Sequence, residues 1–281
     1  DNGIPLLISI PEDNIGALWF NEPLNECVKI IASPKGSVYF DAIALSDKVC
    51  TDPAFMAEGG AKNVARRDGM GTTLLSAVEK TGRIPDAYFQ AIGSGTGTIA
   101  AWENNLRLIE DGRYGTHKMK LYPSQNVPFT IMYDSWKKHS RELVPMTPEE
   151  AREAAAIIDA KVLSNRKPPY PIAGGLYDAL EDAGGDIFKV TNEDLHQWQK
   201  IFLELEGIDI HNAAAVAVAS LVQAVEQGVV GKDDVIMLNI TGAGEDLAKS
   251  EGEIFYAEPH LVLDPSLPEE EIISEVENLF K

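Results

Sequence analysis

The stretch of sequence that decides the fold is Tyr88-Phe-Gln-Ala-Ile-Gly-Ser-Gly-Thr-Gly-Thr-Ile-Ala-Ala-Trp102. Its first five residues are mostly apolar and predict a short buried strand. Glycines follow at once from Gly93 to Gly97, and residues 99–109 predict a helix that ends at Asp111-Gly112. The order strand, glycine loop, helix predicts a loop whose amides converge on one anion beside a helix N-terminus.

The residue types in this loop favour a phosphate as the anion. Gly93, Gly95 and Gly97 let the backbone approach closely, and the hydroxyls of Ser94 and Thr96 add hydrogen-bond donors. A turn of this composition is also common as a plain connection between a strand and a helix. The loop matches neither the G-x-G-x-x-G nor the G-x-x-x-x-G-K-[ST] pattern, so a nucleotide is not the first choice of ligand.

Strands and helices alternate on both sides of this stretch. Further strands are predicted at residues 4–10, 28–31, 118–122 and 235–239. Further helices are predicted at residues 12–20, 41–49, 72–80, 147–163, 192–205, 213–225 and 268–280. Alternation of this kind predicts an α/β fold with a mostly parallel sheet flanked by helices.

Two other segments are candidates for binding groups. Lys62, Asn63, Arg66 and Arg67 place three cations and an amide close together in an acidic protein, as an anion site would require. The alternative is a solvated turn whose arginines pair with surface carboxylates. The Thr241-Gly-Ala-Gly turn follows an apolar run, at the strand end where α/β sheets bind ligands. Its alternative is a tight turn in which Thr241 caps the next helix.

Composition narrows the classes of partner. The chain has 24 Lys and Arg against 44 Asp and Glu, a net charge of −20, which predicts neither a nucleic-acid nor a membrane partner. No stretch approaches the roughly 18–20 apolar residues of a membrane span. Cys27 and Cys50 lack C-x-x-C spacing and favour a reducing, cytoplasmic location. The histidines show no metal-ligand spacing and are interpreted as surface or packing residues, so no metal is predicted.

The order of these motifs resembles that of the fold-type-II pyridoxal-phosphate enzymes (tryptophan synthase β-like), and within them the threonine synthases and cysteate synthases. The shared features are the Ile4-Pro-Leu-Leu-Ile-Ser-Ile strand, the N-x-x-R-x-x-G pattern from Asn63 to Gly69, the glycine loop and the T-G-x-G turn. The resemblance implies that Gly93, Ser94, Gly95, Thr96 and Gly97 bind the phosphate of pyridoxal 5′-phosphate and that Thr241 bonds its ring nitrogen. It also implies that Asn63 and Arg66 bind a substrate phosphate.

The resemblance further implies a domain division and a reaction. Residues 1–62 would be the remnant of a small domain, and residues 63–281 most of a large domain. Threonine synthases tend to carry asparagines in the phosphate loop, whereas Gly-Ser-Gly-Thr-Gly is closer to enzymes of β-replacement. The implied reaction is O-phosphoserine plus sulfite to cysteate plus phosphate, a step toward coenzyme M, in a homodimer. The alternatives are conversion of phosphohomoserine to threonine, or binding of the cofactor without catalysis.

One element of the resemblance is missing from these residues. The Schiff-base lysine of such enzymes lies in an S-x-K-x-R-like motif, and no lysine of this sequence stands in one. The family's order places that motif before the strand at Ile4, and the sequence opens without a methionine. We therefore expect an N-terminal part that precedes these residues, and the catalytic residue stays unassigned.

Overall fold

The computed structural model describes residues 3–252 and 254–281. The strands are β1 Leu6–Pro11, β2 Trp19–Phe20, β3 Val28–Ser33, β4 Ala87–Ala91, β5 Lys120–Asn126, β6 Phe188–Val190, β7 Ile236–Leu238, β8 Phe255–Tyr256 and β9 Leu261–Val262. The helices are α1 Tyr39–Val49, α2 Val64–Thr81, α3 Thr96–Asp111, α4 Ile131–Lys137, α5 Pro148–Ile157, α6 Leu176–Ala183, α7 Asn192–Glu206, α8 Asn212–Glu226, α9 Glu245–Glu251 and α10 Glu269–Asn278. Short 3₁₀ turns lie at Glu12–Ala17, Gly60–Lys62 and Lys161–Leu163.

The compact unit Gly59–Glu245 contains the glycine loop. Its sheet has the strand order β6-β5-β4-β7, and each neighbouring pair runs parallel. The predicted α/β fold with a mostly parallel sheet is confirmed. Because all four strands point the same way, their carboxyl ends share one edge of the sheet, where α/β proteins commonly bind ligands.

Strand β4 is buried along its whole length because helices cover both faces of this sheet. On one face, Tyr88 joins a cluster with apolar residues of α2, α3 and α6. On the other face, Phe89 and Ala91 pack in clusters that include residues of α8. Helix α8 is rich in alanine and valine and has nine buried residues, as its all-round apolar sequence predicts.

The second compact unit combines the chain up to Glu58 with Asp246–Lys281. It holds the parallel sheet β1-β3-β9 and the antiparallel pair β2-β8. Buried residues of β3, α1 and α10 form its main core. The predicted domains, residues 1–62 and 63–281, differ from this division because the C-terminal helix packs with the N-terminal strands. Residues 1, 2 and 253 of that prediction lie outside the described residues.

Three predicted helix bounds were wrong. Residues 12–20 form a 3₁₀ turn and then β2 instead of one helix. Helix α5 ends at Ile157 instead of residue 163, because the Asp159 and Ala160 amides donate to the side chains of Asn192 and Asn126. Helix α2 begins at Val64, eight residues before the predicted start.

Candidate functional site

The glycine loop turns directly from β4 into α3. The Ile92 amide donates to the Ser124 carbonyl of β5 at 2.9 Å, which extends the parallel pairing one residue past β4. Gly95 is the residue before α3 and has φ +81°, a left-handed conformation that favours glycine. The first amides of a helix lack partners within it, so the sixteen-residue α3 directs amides and the positive end of its dipole at the loop.

Close neighbours leave no room for side chains at the other two glycines. A Cβ atom on Gly93 would lie 2.8 Å from the Val162 carbonyl oxygen. A Cβ atom on Gly97 would lie 2.5 Å from both the nitrogen and the oxygen of the Gln90 side-chain amide. The loop backbone therefore packs directly against Val162 and Gln90, and only glycine fits at these two positions.

Hydroxyl groups complete the loop. Ser94 Oγ lies 2.8 Å from Thr96 Oγ1 and accepts a 3.3 Å hydrogen bond from the Thr96 amide. Two further hydroxyls, on Thr98 of the first turn of α3 and on Ser124 of β5, are fully buried and have no hydrogen-bond partner among the described residues. Buried polar atoms without partners are rare, and an ion bound nearby is one way in which such an atom gains a partner. Together with the glycine backbone, these groups fit a phosphate.

The Thr241 turn lies at the end of the strand next to β4. The Asn239 amide donates to the Phe89 carbonyl at 2.9 Å, which carries the β4–β7 pairing toward the turn. Thr241 itself is exposed. The structure therefore brings the glycine loop and Thr241 to the carboxyl ends of two neighbouring strands.

A separate backbone segment holds this second turn. The His211 amide donates to the Gly242 carbonyl at 3.0 Å, and the Gly244 amide donates to the Asp209 carbonyl at 3.0 Å. Ile210 and Ala243 form an antiparallel bridge between these two bonds. The turn is thus clamped by residues 209–211, about thirty positions earlier in the chain.

His211 has a structural role that the sequence interpretation gave only as packing. Its Nδ1 accepts a 3.2 Å hydrogen bond from the Ala213 amide and caps α8. Burial lowers the pKa of His211 below its ordinary 6.5, while the carboxylate of Glu245 acts in the opposite direction. Sequence reasoning missed this role because the helix was expected to begin at Ala213 and not at Asn212, and histidine is not among the favoured N-cap residues.

The Asn63–Gly69 segment is the start of a helix and not the turn predicted as its alternative. Asn63 precedes α2, and its Oδ1 accepts a 3.2 Å hydrogen bond from the Arg66 amide. The two arginines differ. Arg67 donates to the Ala61 carbonyl and pairs with Glu103 of α3 at 2.8 Å, whereas the Arg66 side chain points from an exposed position of the first turn.

This segment lies along α3 at a distance from the glycine loop. Ion pairs join Arg67 to Glu103 and Asp68 to Arg107 of α3. Those partners lie about 10 and 16 Å along the helix axis from Thr96, at about 1.5 Å per residue. The structure therefore places the start of α2, the second candidate anion site, beside residues 103–107 of α3, whereas the glycine loop lies at the N-terminus of that helix.

A family model described as "Pyridoxal-phosphate dependent enzyme" matches residues 24–242, which include every predicted site residue. The chain belongs to the pyridoxal-phosphate dependent enzyme family. The predicted cofactor, pyridoxal 5′-phosphate, is confirmed at the level of the family. In a pyridoxal-phosphate enzyme, the glycine loop and the buried hydroxyls have the chemistry that a cofactor phosphate needs.

Several curated relatives of this pyridoxal-phosphate enzyme share one name. The protein called "Cysteate synthase" in Methanosarcina acetivorans is 45% identical over 96% of this chain and 65% of its own length. Its namesake in Methanoculleus marisnigri is 46% identical over 92% of this chain and 60% of its own length. The chain thus spans less than two thirds of the length of these relatives.

Solved structures support the fold of this pyridoxal-phosphate enzyme. A crystal structure of a pyridoxal 5′-phosphate-dependent aspartate racemase superposes with a TM-score of 0.52, covering 77% of this chain and 66% of that one at 12% identity. That match concerns the fold alone.

None of the helices in residues 3–252 and 254–281 combines the length and apolar character that crossing a bilayer requires. The same residues contain no group of three or more His, Cys, Asp and Glu side chains that could hold a metal ion.

Proposed function

We propose that this chain belongs to a cysteate synthase, which converts O-phosphoserine and sulfite to cysteate and inorganic phosphate. The observation that carries the proposal is the identity of 42–46% to proteins of that name, over 89–98% of this chain. The geometry supports it because the reaction needs two phosphate sites, one for the cofactor and one for the substrate. The fold presents two separate candidates.

The cofactor site comprises Gly93, Ser94, Gly95, Thr96, Gly97 and Thr241. Amides of the loop and of the first turn of α3 would donate to the phosphate, together with the hydroxyls of Ser94 and Thr96. Thr241 would hydrogen-bond the ring nitrogen and hold it without the extra proton that a carboxylate would favour. When bound, the cofactor supplies an electron sink that permits loss of the substrate's α-proton and of its β-phosphate.

The substrate's phosphate would bind at the start of α2. The Arg66 guanidinium can donate two hydrogen bonds to phosphate oxygens, and the amide nitrogen of Asn63 can donate another. The positive end of the α2 dipole adds to the attraction within its first turn. In an otherwise acidic chain with a net charge of −20, such a local cation is what would attract an anionic substrate.

The surroundings of the enzyme are part of the same proposal. The two cysteines are free in the structure and not joined as a disulfide, which supports a cytoplasmic location. We also propose a homodimer, in accord with the resemblance. Sedimentation of the whole gene product would contradict this last point if it gave the mass of one subunit.

The test compares the turnover of two candidate substrates. The whole gene product, supplied with pyridoxal 5′-phosphate, should release equal amounts of cysteate and inorganic phosphate from O-phosphoserine and sulfite, measured by mass spectrometry and phosphate release. Conversion of phosphohomoserine to threonine at a higher rate would contradict the proposal. So would binding of the cofactor without turnover of either substrate.

Neighbouring arginines give a matched test of the substrate site. Arg66→Ala should weaken phosphoserine binding by about 1.5–3 kcal/mol, roughly 10- to 100-fold, the cost of a hydrogen bond to a charged group. Its pyridoxal-phosphate affinity, measured by fluorescence titration, should not change. Arg67→Ala is the control, because its partners are Glu103 and Ala61 and its loss should reduce stability without altering phosphoserine affinity. Equal losses of phosphoserine affinity in both variants would remove Arg66 from the site.

A further inference from the structure

A chain of hydrogen bonds, buried at Tyr88 and Gln90 and partly buried at Asn239, runs between the two turns of the cofactor site. Asn239 Nδ2 donates to the Tyr88 hydroxyl at 2.8 Å, and that hydroxyl donates to Gln90 Oε1 at 2.6 Å. Tyr88, the second residue of β4, is fully buried, and Gln90 is 6% exposed. We call these three residues the Tyr88 bridge.

Each end of the Tyr88 bridge touches one half of the cofactor site. The Gln90 amide lies against the Cα atom of Gly97 so closely that a Cβ atom there would be 2.5 Å away. At the other end, Asn239 stands two residues before Thr241. The backbone amide of Asn239 donates a hydrogen bond to the Phe89 carbonyl at 2.9 Å. The bridge thus connects the back of the phosphate loop to the strand end that carries Thr241.

Filling the core would not require these polar groups. The neighbouring fully buried residues on this face, Leu74, Ile84 and Ile99, are apolar, and phenylalanine would fill the volume of Tyr88. Burying the Tyr88 hydroxyl and the Gln90 side-chain amide costs free energy unless each finds a partner in a fixed geometry. Burial raises the pKa of Tyr88, so its hydroxyl stays protonated and can donate to Gln90. The bonds are therefore directional constraints between β4, β7 and the loop.

We propose that Tyr88, Gln90 and Asn239 are positioning residues that fix the distance between the phosphate loop and Thr241. The inference rests on the cofactor site proposed above. A ligand that spans both turns depends on that distance, whereas a ligand that fills only the loop does not. Pyridoxal 5′-phosphate is of the first kind, and inorganic phosphate is of the second.

The two ligands together test the Tyr88 bridge. In Tyr88→Phe, which breaks both hydrogen bonds of the hydroxyl, the affinity for pyridoxal 5′-phosphate should fall by about tenfold, because the distance between the loop and Thr241 is no longer fixed. The affinity for inorganic phosphate, measured by ³¹P NMR titration with Arg66→Ala present in both proteins so that only the loop site is read, should stay within about twofold of the parent. The control is Tyr170→Phe, which removes the hydroxyl of another fully buried tyrosine, bonded at 2.9 Å to the Ser140 carbonyl. It should lose similar stability and bind both ligands as the parent does.

Asn239→Ala removes the hydrogen bond at the other end of the Tyr88 bridge. This variant can be measured in its place if Tyr88→Phe does not fold. The double variant Tyr88→Phe/Asn239→Ala should lose no more cofactor affinity than the single variant that binds the cofactor less tightly. Both changes interrupt the same chain of hydrogen bonds. Equal weakening of both ligands, no change in either, or the same loss in Tyr170→Phe would each overturn the proposal. A parent that binds neither ligand would instead refute the cofactor site, and the bridge with it.

Discussion

The turn after β4 is shaped by its own glycines, whereas the turn after β7 is held by a segment from another part of the chain. In the first, Gly95 has φ +81°, and the Gln90 amide packs directly against Gly97. In the second, the carbonyls of Gly242 and Asp209 form the hydrogen bonds that join the turn to residues 209–211. The two turns nevertheless end adjacent strands of one sheet.

This difference suits two turns that bind different parts of one ligand. A phosphate requires many amides aimed at one point, which a rigid glycine backbone before a helix provides. A ring nitrogen requires a single hydroxyl at the right place, and a clamp from residues 209–211 can supply that. We expect changes in the first turn to affect phosphate binding directly, and changes in the second to affect only the ring.

The largest effect should come from closing the space behind Gly97. A methyl group in Gly97→Ala would meet both polar atoms of the Gln90 amide at 2.5 Å, so the loop must shift. We expect a loss of about 1–3 kcal/mol in the free energy of unfolding, with a fall of at least about tenfold in the affinity for pyridoxal 5′-phosphate and for inorganic phosphate. Urea denaturation and fluorescence titration measure the two quantities.

Gly71→Ala is the matched control for Gly97→Ala. Its methyl group would collide with the side-chain amide of Asn104, so stability should fall by a similar amount. Residue 71 lies on α2, away from the loop, and both ligands should bind as in the parent. A Gly97→Ala protein with unchanged phosphate affinity would show that the loop backbone does not form the phosphate site.

The next largest effect should come from Gly95→Ala, compared with Gly112→Ala. The pair separates the cost of backbone strain from the effect of a position in the glycine loop. Gly95 and Gly112 flank α3 with φ values of +81° and +75°, so alanine at either should cost about 1–2 kcal/mol of stability. A methyl group on Gly95 would also lie 3.1 Å from Leu176 Cδ2, whereas none of the described atoms lies within 4 Å at Gly112. Only Gly95→Ala should weaken inorganic phosphate, by roughly three- to tenfold. Equal phosphate affinities in the two variants would contradict a site at the loop.

A smaller effect is expected at the second turn. A methyl group in Gly244→Ala would collide with the Asp209 carboxylate, the flexible end of a side chain, so the cost should be about 1 kcal/mol. The absorption spectrum of bound pyridoxal 5′-phosphate should shift, and inorganic phosphate affinity should not change. In the control Gly231→Ala the nearest atom lies at 3.8 Å, and neither property should move. A loss of phosphate affinity in Gly244→Ala would mean that the two turns are not independent.

The same contrast explains which parts of the site could be predicted from sequence. The glycine loop was predictable because strand, glycines and helix are consecutive, and local conformation determines the turn. The parallel sheet was predictable from the alternation of apolar runs. The helix start at Asn63 was missed because polar residues before the apolar pattern were interpreted as a turn, although asparagine is a favoured N-cap.

The remaining features depend on contacts distant in sequence. Gln90 and Asn239 meet through Tyr88 only because β4 and β7 are neighbours, and no local pattern shows that pairing. The end of α5 depends on asparagine side chains that arrive from β5 and α7. The grouping of the C-terminal helix with the N-terminal strands likewise follows from packing between segments far apart in the sequence.

The smallest effect should come from His211, which holds the clamp of the second turn. Its pKa lies below 6.5 because of burial, and its Nδ1 accepts the Ala213 amide only when unprotonated. As pH falls through 6.5, the unfolded chain therefore binds a proton before the folded chain does, and the free energy of unfolding decreases. His211→Asn, which keeps a capping acceptor, should lose less stability than the parent between pH 7.5 and 5.5, roughly one unit on either side of the ordinary value. Parallel pH profiles in urea denaturation would show that His211 titrates alike in both states and that the cap of α8 does not depend on its neutral form.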